Sequence, residues 1–189
     1  GRMVAQLYSW VLALCVAAGD DPPPPVVASA RRLLRFLVGL QDRASGAPPN
    51  YGPNDGTLLL PLASCDYADH RPALDALSVL LGEGSLYGPG PWEEAAAWLG
   101  GARAGTGTPV ARAGTGTAAA RGGPARSGSD AAPRLGGGED APVAFPDGGY
   151  YRLDGRSAHG VIRCGVYKHR PHQADMLHLD VWFGGHNVL

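Results

Sequence analysis

The sequence predicts an α+β protein, with helices in the first half of the chain and strands at its end. Residues 1–99 carry apolar residues at helical spacing, and residues 143–189 alternate apolar and polar residues as strands do. Residues 100–142, which lie between them, are rich in glycine and alanine. With 189 residues, the chain is long enough for about one domain or one and a half.

The charge balance of the chain excludes a generally basic nucleic-acid-binding protein. The formal net charge is −1 and the pI is near 6.6. No apolar run reaches about 18 residues, so we expect no membrane-spanning helix. Neither nucleic acid nor a membrane is therefore an expected partner.

The first predicted helix covers residues 3–18, an almost wholly apolar segment that follows Arg2. The segment favours a buried amphipathic helix; a secretory signal peptide is the alternative, because the run ends Ala-Ala-Gly. Gly19 and the four prolines that soon follow end that helix.

Three further segments predict helices. Residues 26–40 place apolar residues in a helical stripe, and three arginines lie mostly off it: Arg31, Arg32 and Arg35. Residues 72–81 and 91–99 each begin with proline, which is favoured in a first helical turn, and Asp69 is a possible cap for the former. Because such helices must pack on one another, we expect a stack of α-hairpins.

The segment 100–142 predicts a flexible insertion. Most of its residues are glycine, alanine or proline, and a nine-residue repeat occupies 102–110 and 111–119. It has too little apolar surface to offset the entropy lost on ordering.

Residues 143–189 predict an antiparallel sheet of three or four strands. Residues 143–153 contain a Pro-Asp-Gly-Gly turn, and residues 161–167 form a second candidate strand. In residues 177–183, one face carries Leu177, Leu179, Val181 and Phe183, and the other carries His178, Asp180 and Trp182. Gly184-Gly185 predicts a hairpin turn into 186–189. Such a sheet is incomplete as a domain, so we expect a fragment.

The loop 48–56 is the first candidate site. It holds Asn50, Tyr51, Asn54 and Asp55 between prolines and glycines. Fixed donors and acceptors beside an aromatic ring suit a sugar. The alternative is a tight interhelical turn in which Asn54 and Asp55 provide only turn geometry.

The segment 168–178 is the second candidate site. Its histidines at 169, 172 and 178, with Asp175 between them, resemble metal-ligand spacing. A histidine that faces a groove without a metal is favoured over a metal site, and a solvent-exposed histidine is the third possibility.

A local excess of basic residues is the third candidate. Between 150 and 172 the only acid is Asp154, and the five basic residues are Arg152, Arg156, Arg163, Lys168 and Arg170. Such a patch suits an anionic ligand, and a solvated strand face is the alternative.

Three motifs resemble those of the heparinase II/III-type polysaccharide lyases: PNYGPNDGTLLLPLASCDYADHRP at 49–72, FPDGGYY at 145–151 and RPHQADMLHLDVWFGGHNV at 170–188. The resemblance implies partial (α/α) toroid helices in residues 1–99, an insertion in 100–142 and the first strands of an antiparallel β-sandwich in 143–189. It also implies a toroid helix, not a signal peptide, at residues 3–18.

The resemblance implies β-elimination cleavage of glycans that contain uronate, of the heparin, heparan sulfate or alginate type. It implies catalytic roles for His178 and Tyr51. It implies substrate binding by Asn50, Asn54, Asp55, Arg170, Gln173 and Asp175. The implied partner is an anionic polysaccharide, the implied location is periplasmic or secreted, and no cofactor is expected, although a structural divalent metal in the complete protein stays open.

The sequence also departs from the family pattern. Gly1-Arg2 resembles the tail of an Asn-Tyr-x-Arg motif whose acid/base tyrosine would precede this chain, and Pro171 and Gln173 replace metal-associated positions of many relatives. We therefore expect the fragment to be inactive alone. The alternative is a non-catalytic carbohydrate-binding or structural remnant.

Overall fold

A computed structural model describes residues 1–51, 56–100, 143–165 and 176–189. In these ranges the chain forms four α-helices followed by a five-stranded antiparallel sheet, which confirms the predicted α+β class. The predicted insertion lies outside the described residues except for Gly100.

The helices fall where the sequence predicts them, with shifts of a few residues at their ends. They are α1 (Arg2–Ala18), α2 (Pro24–Leu40), α3 (Arg71–Leu80) and α4 (Glu94–Trp98), and a 3-10 turn at Pro91–Glu93 precedes α4. Gly19 ends α1 with φ 79°, a left-handed conformation that glycine adopts without a Cβ penalty. Asp69 accepts a hydrogen bond from the backbone amide of Arg71 at 2.9 Å, although His70 occupies the N-cap position of α3.

The helical core forms where one face of α1 and the apolar stripe of α2 pack with α3. Its buried residues are Ala5, Leu12, Ala30, Leu34, Leu37, Val38, Leu74 and Leu77. The opposite face of α1 exposes apolar side chains, including Leu7, Trp10 and Leu14, so only half of this predicted buried helix is covered. No helix in the described part of the chain is both long and apolar enough to cross a membrane.

Two polar side chains of α1 hold the segment that follows the predicted sugar-binding loop. The guanidinium of Arg2 donates to the backbone oxygens of Thr57 and Tyr67 and lies 4.1 Å from the centroid of the Tyr67 ring. Gln6 donates to the Leu60 oxygen at 2.8 Å. The extended segment is therefore fastened to a helix rather than to a sheet.

The sheet is a meander in which each strand pairs with the next. Its strands are β1 (Val143–Phe145), β2 (Tyr150–Asp154), β3 (Ala158–Arg163), β4 (His178–Phe183) and β5 (His186–Asn187). Five strands exceed the three or four predicted, because the Pro-Asp-Gly-Gly turn joins two strands. The strand predicted at 161–167 instead begins at Ala158 and ends at Arg163.

The alternation predicted for β4 is confirmed, and the polar side of this strand is the buried one. Asp180 and Trp182 are 1% and 7% exposed, whereas Leu179 and Phe183 are 47% and 59% exposed. We call the side of the sheet that carries Tyr150, Asp180 and Trp182 the inner face, because it packs on the helices.

The end of α2 joins the helices to the inner face. The Phe36 ring meets the rings of Phe145 and Tyr150 edge-on, with centroids 5.1 and 5.2 Å apart. Beyond the helix, the Arg152 guanidinium donates to the backbone oxygen of Gln41 at 2.6 Å. Aromatic packing and a charged hydrogen bond thus fix the sheet against α2.

Candidate functional site

Three of the predicted site residues lie in the described part of the chain: Asn50, Tyr51 and His178. The other five lie outside it, namely Asn54, Asp55, Arg170, Gln173 and Asp175. Of the metal-ligand alternative, His169, His172 and Asp175 lie outside the described residues and His178 lies within them, so this alternative stays a prediction. Among the described residues, no three His, Cys, Asp or Glu side chains are grouped as metal ligands.

Three side chains stand side by side across the inner face at one end of the sheet. Tyr150 of β2 is the register partner of Arg163 of β3, and Arg163 is the register partner of His178 of β4. Residues opposite each other in antiparallel strands point to the same face, so all three point toward the helices. We call Tyr150, Arg163 and His178 the site row.

Tyr51 brings the helical part of the chain to the site row. Its ring lies 4.9 Å from the ring of Tyr150, and it packs with the small core cluster of Leu40, Tyr150 and Val161. Since neighbouring strands are about 4.8 Å apart, Tyr150 and His178 are separated by roughly 10 Å. Tyr51 and His178 therefore lie on the same side of the sheet, with Arg163 between them.

The environment of Tyr51 keeps its phenol protonated. Burial raises the pKa of Tyr51 well above its ordinary value, Tyr150 raises it further, and the positive charge of Arg163 opposes both effects. A phenol that stays protonated cannot act as a base, and its raised pKa also makes it a weaker acid than an exposed tyrosine. Asn50, beside it, is exposed and available to a ligand at the surface.

His178 follows a strained backbone position. Leu177 has φ 56°, a left-handed conformation that costs a non-glycine residue about 1–2 kcal/mol. The Leu177 amide donates to the Arg163 oxygen at 2.8 Å, which ties this strained residue to the neighbouring strand. The buried Nε2 of His178 has no hydrogen-bond partner among the described residues. Strain beside an unpartnered ring nitrogen is typical of a functional position.

A close backbone approach fixes the Tyr150 end of the site row. Gly149 has φ 70°, and a Cβ on it would stand 2.3 Å from the Cα of Gly165. The Cys164 amide donates to the Gly149 oxygen at 2.6 Å. Only glycine fits at position 149, because both the backbone conformation and the close contact exclude a side chain.

A second polar cluster occupies the other end of the inner face. The His159 ring stacks on Trp182 with centroids 6.0 Å apart, and its Nδ1 is 3.9 Å from Oδ1 of Asp42. Burial, and next the charge of Arg152, lowers the pKa of His159, so the ring is neutral at pH 7. His159 precedes Arg163 by four strand positions, about 13 Å along β3, so the two clusters are separate.

A cavity of about 40 Å³ lies away from both clusters, between α1 and the segment that Arg2 holds. Its lining is mainly apolar and includes Arg2, Gln6, Cys65 and Asp69. A cavity of this size holds only a few water molecules, and it includes none of the predicted site residues.

Sequence reasoning did not single out Tyr150, Arg163, His159 or Asp42 as site residues. Arg163 was visible only as part of a basic patch, and Tyr150 only as part of the FPDGGYY motif. The signal that groups them is strand register, which the single sequence does not specify.

Comparison with protein-family models, with curated proteins and with solved structures finds no significant match to this chain.

Proposed function

We propose that this chain is part of a polysaccharide lyase that cleaves glycans containing uronate by β-elimination. The observation that carries the proposal is the site row, in which His178 and Arg163 are neighbours, together with Tyr51 at its end. The motif resemblance at 49–72, 145–151 and 170–188 supplies the reaction class.

The reaction needs a base, a proton donor and a group that neutralises a carboxylate. The base removes the C5 proton of the uronate, and the electron pair of that bond forms the C4–C5 double bond. The bond between C4 and the glycosidic oxygen breaks, and that oxygen takes a proton. His178, whose Nε2 has no hydrogen-bond partner among the described residues, is the candidate base. Tyr51, whose phenol stays protonated at neutral pH, is the candidate proton donor, although its raised pKa makes it a weak acid.

The same proposal includes the finer architecture, an incomplete (α/α) toroid followed by the first strands of a β-sandwich. The outer face of the sheet supports it, because Leu153, Leu179 and Phe183 expose an apolar surface of the kind that a second sheet covers in a sandwich. An anionic polysaccharide is the partner that this proposal implies. No cofactor enters this chemistry.

One observation favours a second candidate, a carbohydrate-binding remnant without catalysis. The Tyr51 ring packs with the core cluster around Tyr150, which restricts the movement that delivery of a proton to a leaving oxygen requires. In that case the site row would bind the glycan and leave it intact.

The test is ultraviolet absorbance of the unsaturated uronate after the full-length protein is mixed with heparan sulfate or alginate. We expect absorbance to rise with at least one glycan, and His178→Asn to slow the rise by at least about 100-fold, as expected for loss of a general base. His186→Asn is the matched control, because His186 is an exposed histidine on β5.

Two outcomes would contradict the lyase proposal. Binding of the glycan without any new absorbance would favour the carbohydrate-binding remnant. A His178→Asn variant that matches the His186→Asn control in rate would remove His178 from the reaction.

A further inference from the structure

We propose that the cavity between α1 and the segment that Arg2 holds binds one small monovalent anion, such as chloride, beside the Arg2 guanidinium. The cavity lies away from the site row and takes no part in the proposed chemistry, so this inference holds whether or not the protein is a lyase. Two observations carry it: the cavity itself, and a buried arginine that lines it and has no carboxylate partner among the described residues.

Arg2 is a buried cation whose partners within the described residues are all neutral. It is 7% exposed. Its guanidinium donates to the backbone oxygens of Thr57 and Tyr67 and lies over the Tyr67 ring. Its Nε is buried and has no hydrogen-bond partner in the part of the chain that the structure describes. Because a buried charge is costly unless an opposite charge accompanies it, this side chain favours an anion.

The titration of His70 supports a positive potential at this place. Burial lowers the pKa of His70 to about 4, and the charge of Arg2 is the next cause. Asp69 acts in the opposite direction and more weakly than Arg2. The charge of Arg2 therefore exceeds the effect of the nearby carboxylate on a neighbouring residue, and an anion in the cavity would be attracted.

The two carboxylates that also line the cavity have other partners. Both oxygens of Asp69 accept hydrogen bonds from the Arg71 guanidinium, at 2.9 and 2.7 Å. Asp66 is exposed, and its Oδ1 accepts a hydrogen bond from the Ala68 amide at 2.8 Å. Asp69 is thus balanced by an arginine of its own and Asp66 is hydrated, so neither neutralises Arg2.

The size and the walls of the cavity select the anion. Its volume of about 40 Å³ is close to the roughly 30 Å³ that one water molecule occupies in the liquid, so a monatomic ion fits and sulfate does not. Much of the wall is apolar and comes from residues such as Leu58, Leu60 and Ala73. Apolar groups cannot replace the water around a strongly hydrated ion, so chloride is favoured over fluoride.

The experiment measures the line width of the chlorine NMR signal of sodium chloride as the full-length protein is added at constant ionic strength. Chloride that exchanges into an ordered site broadens this signal. We expect Arg2→Gln to reduce the broadening by at least about 10-fold, as expected for loss of a charged hydrogen-bond donor. Arg2→Lys, which keeps the charge, should reduce it less.

A second variant leaves Arg2 in place, because Arg2→Gln also removes the contacts to Thr57 and Tyr67. Ala73→Val adds two methyl groups to the wall of the cavity, and we expect it to reduce the broadening by at least about 10-fold by occupying the space of the ion. The matched control is Arg32→Gln, which removes an exposed arginine from α2 and should change the broadening by less than about twofold. Thermal unfolding midpoints verify that the variants are folded.

A comparison of salts gives an independent readout. We expect the unfolding midpoint of the wild type to be higher in sodium chloride than in sodium fluoride of equal ionic strength, because a bound ion stabilises the folded state, and we expect no such difference in Ala73→Val. Equal broadening by the wild type and Ala73→Val would place the chloride outside the cavity. Equal midpoints of the wild type in the two salts would show that water fills the cavity, and either result would overturn the anion site.

Discussion

Asp180 shows how a single residue stabilises the inner face. Its carboxylate is 1% exposed and accepts hydrogen bonds from Trp182 Nε1 at 2.5 Å and from Asn187 Nδ2 at 2.7 Å. We expect Asp180→Ala to lower the free energy of unfolding by about 2 kcal/mol, because it leaves the buried indole N–H of Trp182 without its acceptor, whereas the exposed Asn187 amide can bind water. Urea denaturation followed by tryptophan fluorescence measures this change.

The control for this substitution is Asp147→Ala, at an exposed position in the turn between β1 and β2. It should change the free energy of unfolding by less than about 0.5 kcal/mol, as surface substitutions usually do. A loss of less than about 1 kcal/mol in Asp180→Ala would mean that water replaces the carboxylate and that the inner face is more open than its packing indicates.

At the scale of the element, Gly39 decides how closely α2 approaches the sheet. A Cβ on Gly39 would stand 2.8 Å from Cζ of Phe145 and 3.3 Å from Cγ1 of Val143. Gly39→Ala gains about 1 kcal/mol of helix propensity but overpacks the interface, which costs about 1–3 kcal/mol. Because the Phe145 ring is held edge-on by Phe36, we expect net destabilisation by about 1 kcal/mol.

A double-mutant cycle tests the cause of that change. Phe145→Leu shortens the side chain that the new methyl group meets, so Gly39→Ala should be neutral or stabilising in that background. Free energies of unfolding of the four proteins give the coupling. Destabilisation by Gly39→Ala that is equal in both backgrounds would exclude the contact with Phe145 as its cause.

The elements were predictable to the extent that local patterns determine them. Proline, glycine and helical periodicity placed α1 to α4 to within a few residues, and the alternation around His178 gave β4. The end of β3 was not predictable, because the apolar pattern continues past Arg163 while the pairing with β4 ends at His178. Which side of β4 is buried was also not predictable, since Asp180 and Trp182 bond to each other and are covered by Asn187 and His159 of the neighbouring strands.

The candidate site depends on pairings that no local pattern contains. His178 and Tyr51 were chosen from motif resemblance, and the structure places both on the inner side of the sheet. Arg163 belongs between them only because of the register of β2, β3 and β4. A single sequence fixes periodicity within a strand but not the offset between strands, so this residue had to come from the structure.

At the scale of the whole molecule, buried histidines make the fold sensitive to acid. Burial, and next the charge of Arg2, lowers the pKa of His70 to about 4, and burial also lowers the pKa of His159. An unfolded histidine has a pKa near 6.5, so between pH 6.5 and 4 the unfolded chain binds more protons than the folded chain. The stability that the neutral histidines contribute is therefore fully present above about pH 6.5, and it is lost as the pH falls through this window.

We expect His70 alone to account for a loss of up to about 3 kcal/mol between pH 7 and pH 4. Burial raises the pKa of Asp75, so this carboxyl group acts in the opposite direction at acidic pH. The effect of His70 is therefore measured as the difference between a variant and the wild type at each pH. His70→Gln removes the titrating group, and its free energy of unfolding should therefore fall less steeply than that of the wild type from pH 6.5 to 4. His186→Gln, at an exposed position, should keep the wild-type slope. Urea denaturation at intervals of half a pH unit gives these slopes. Parallel curves for His70→Gln and the wild type would show that His70 is protonated in the folded chain at no cost in free energy. The junction between α1 and α3 would then admit water.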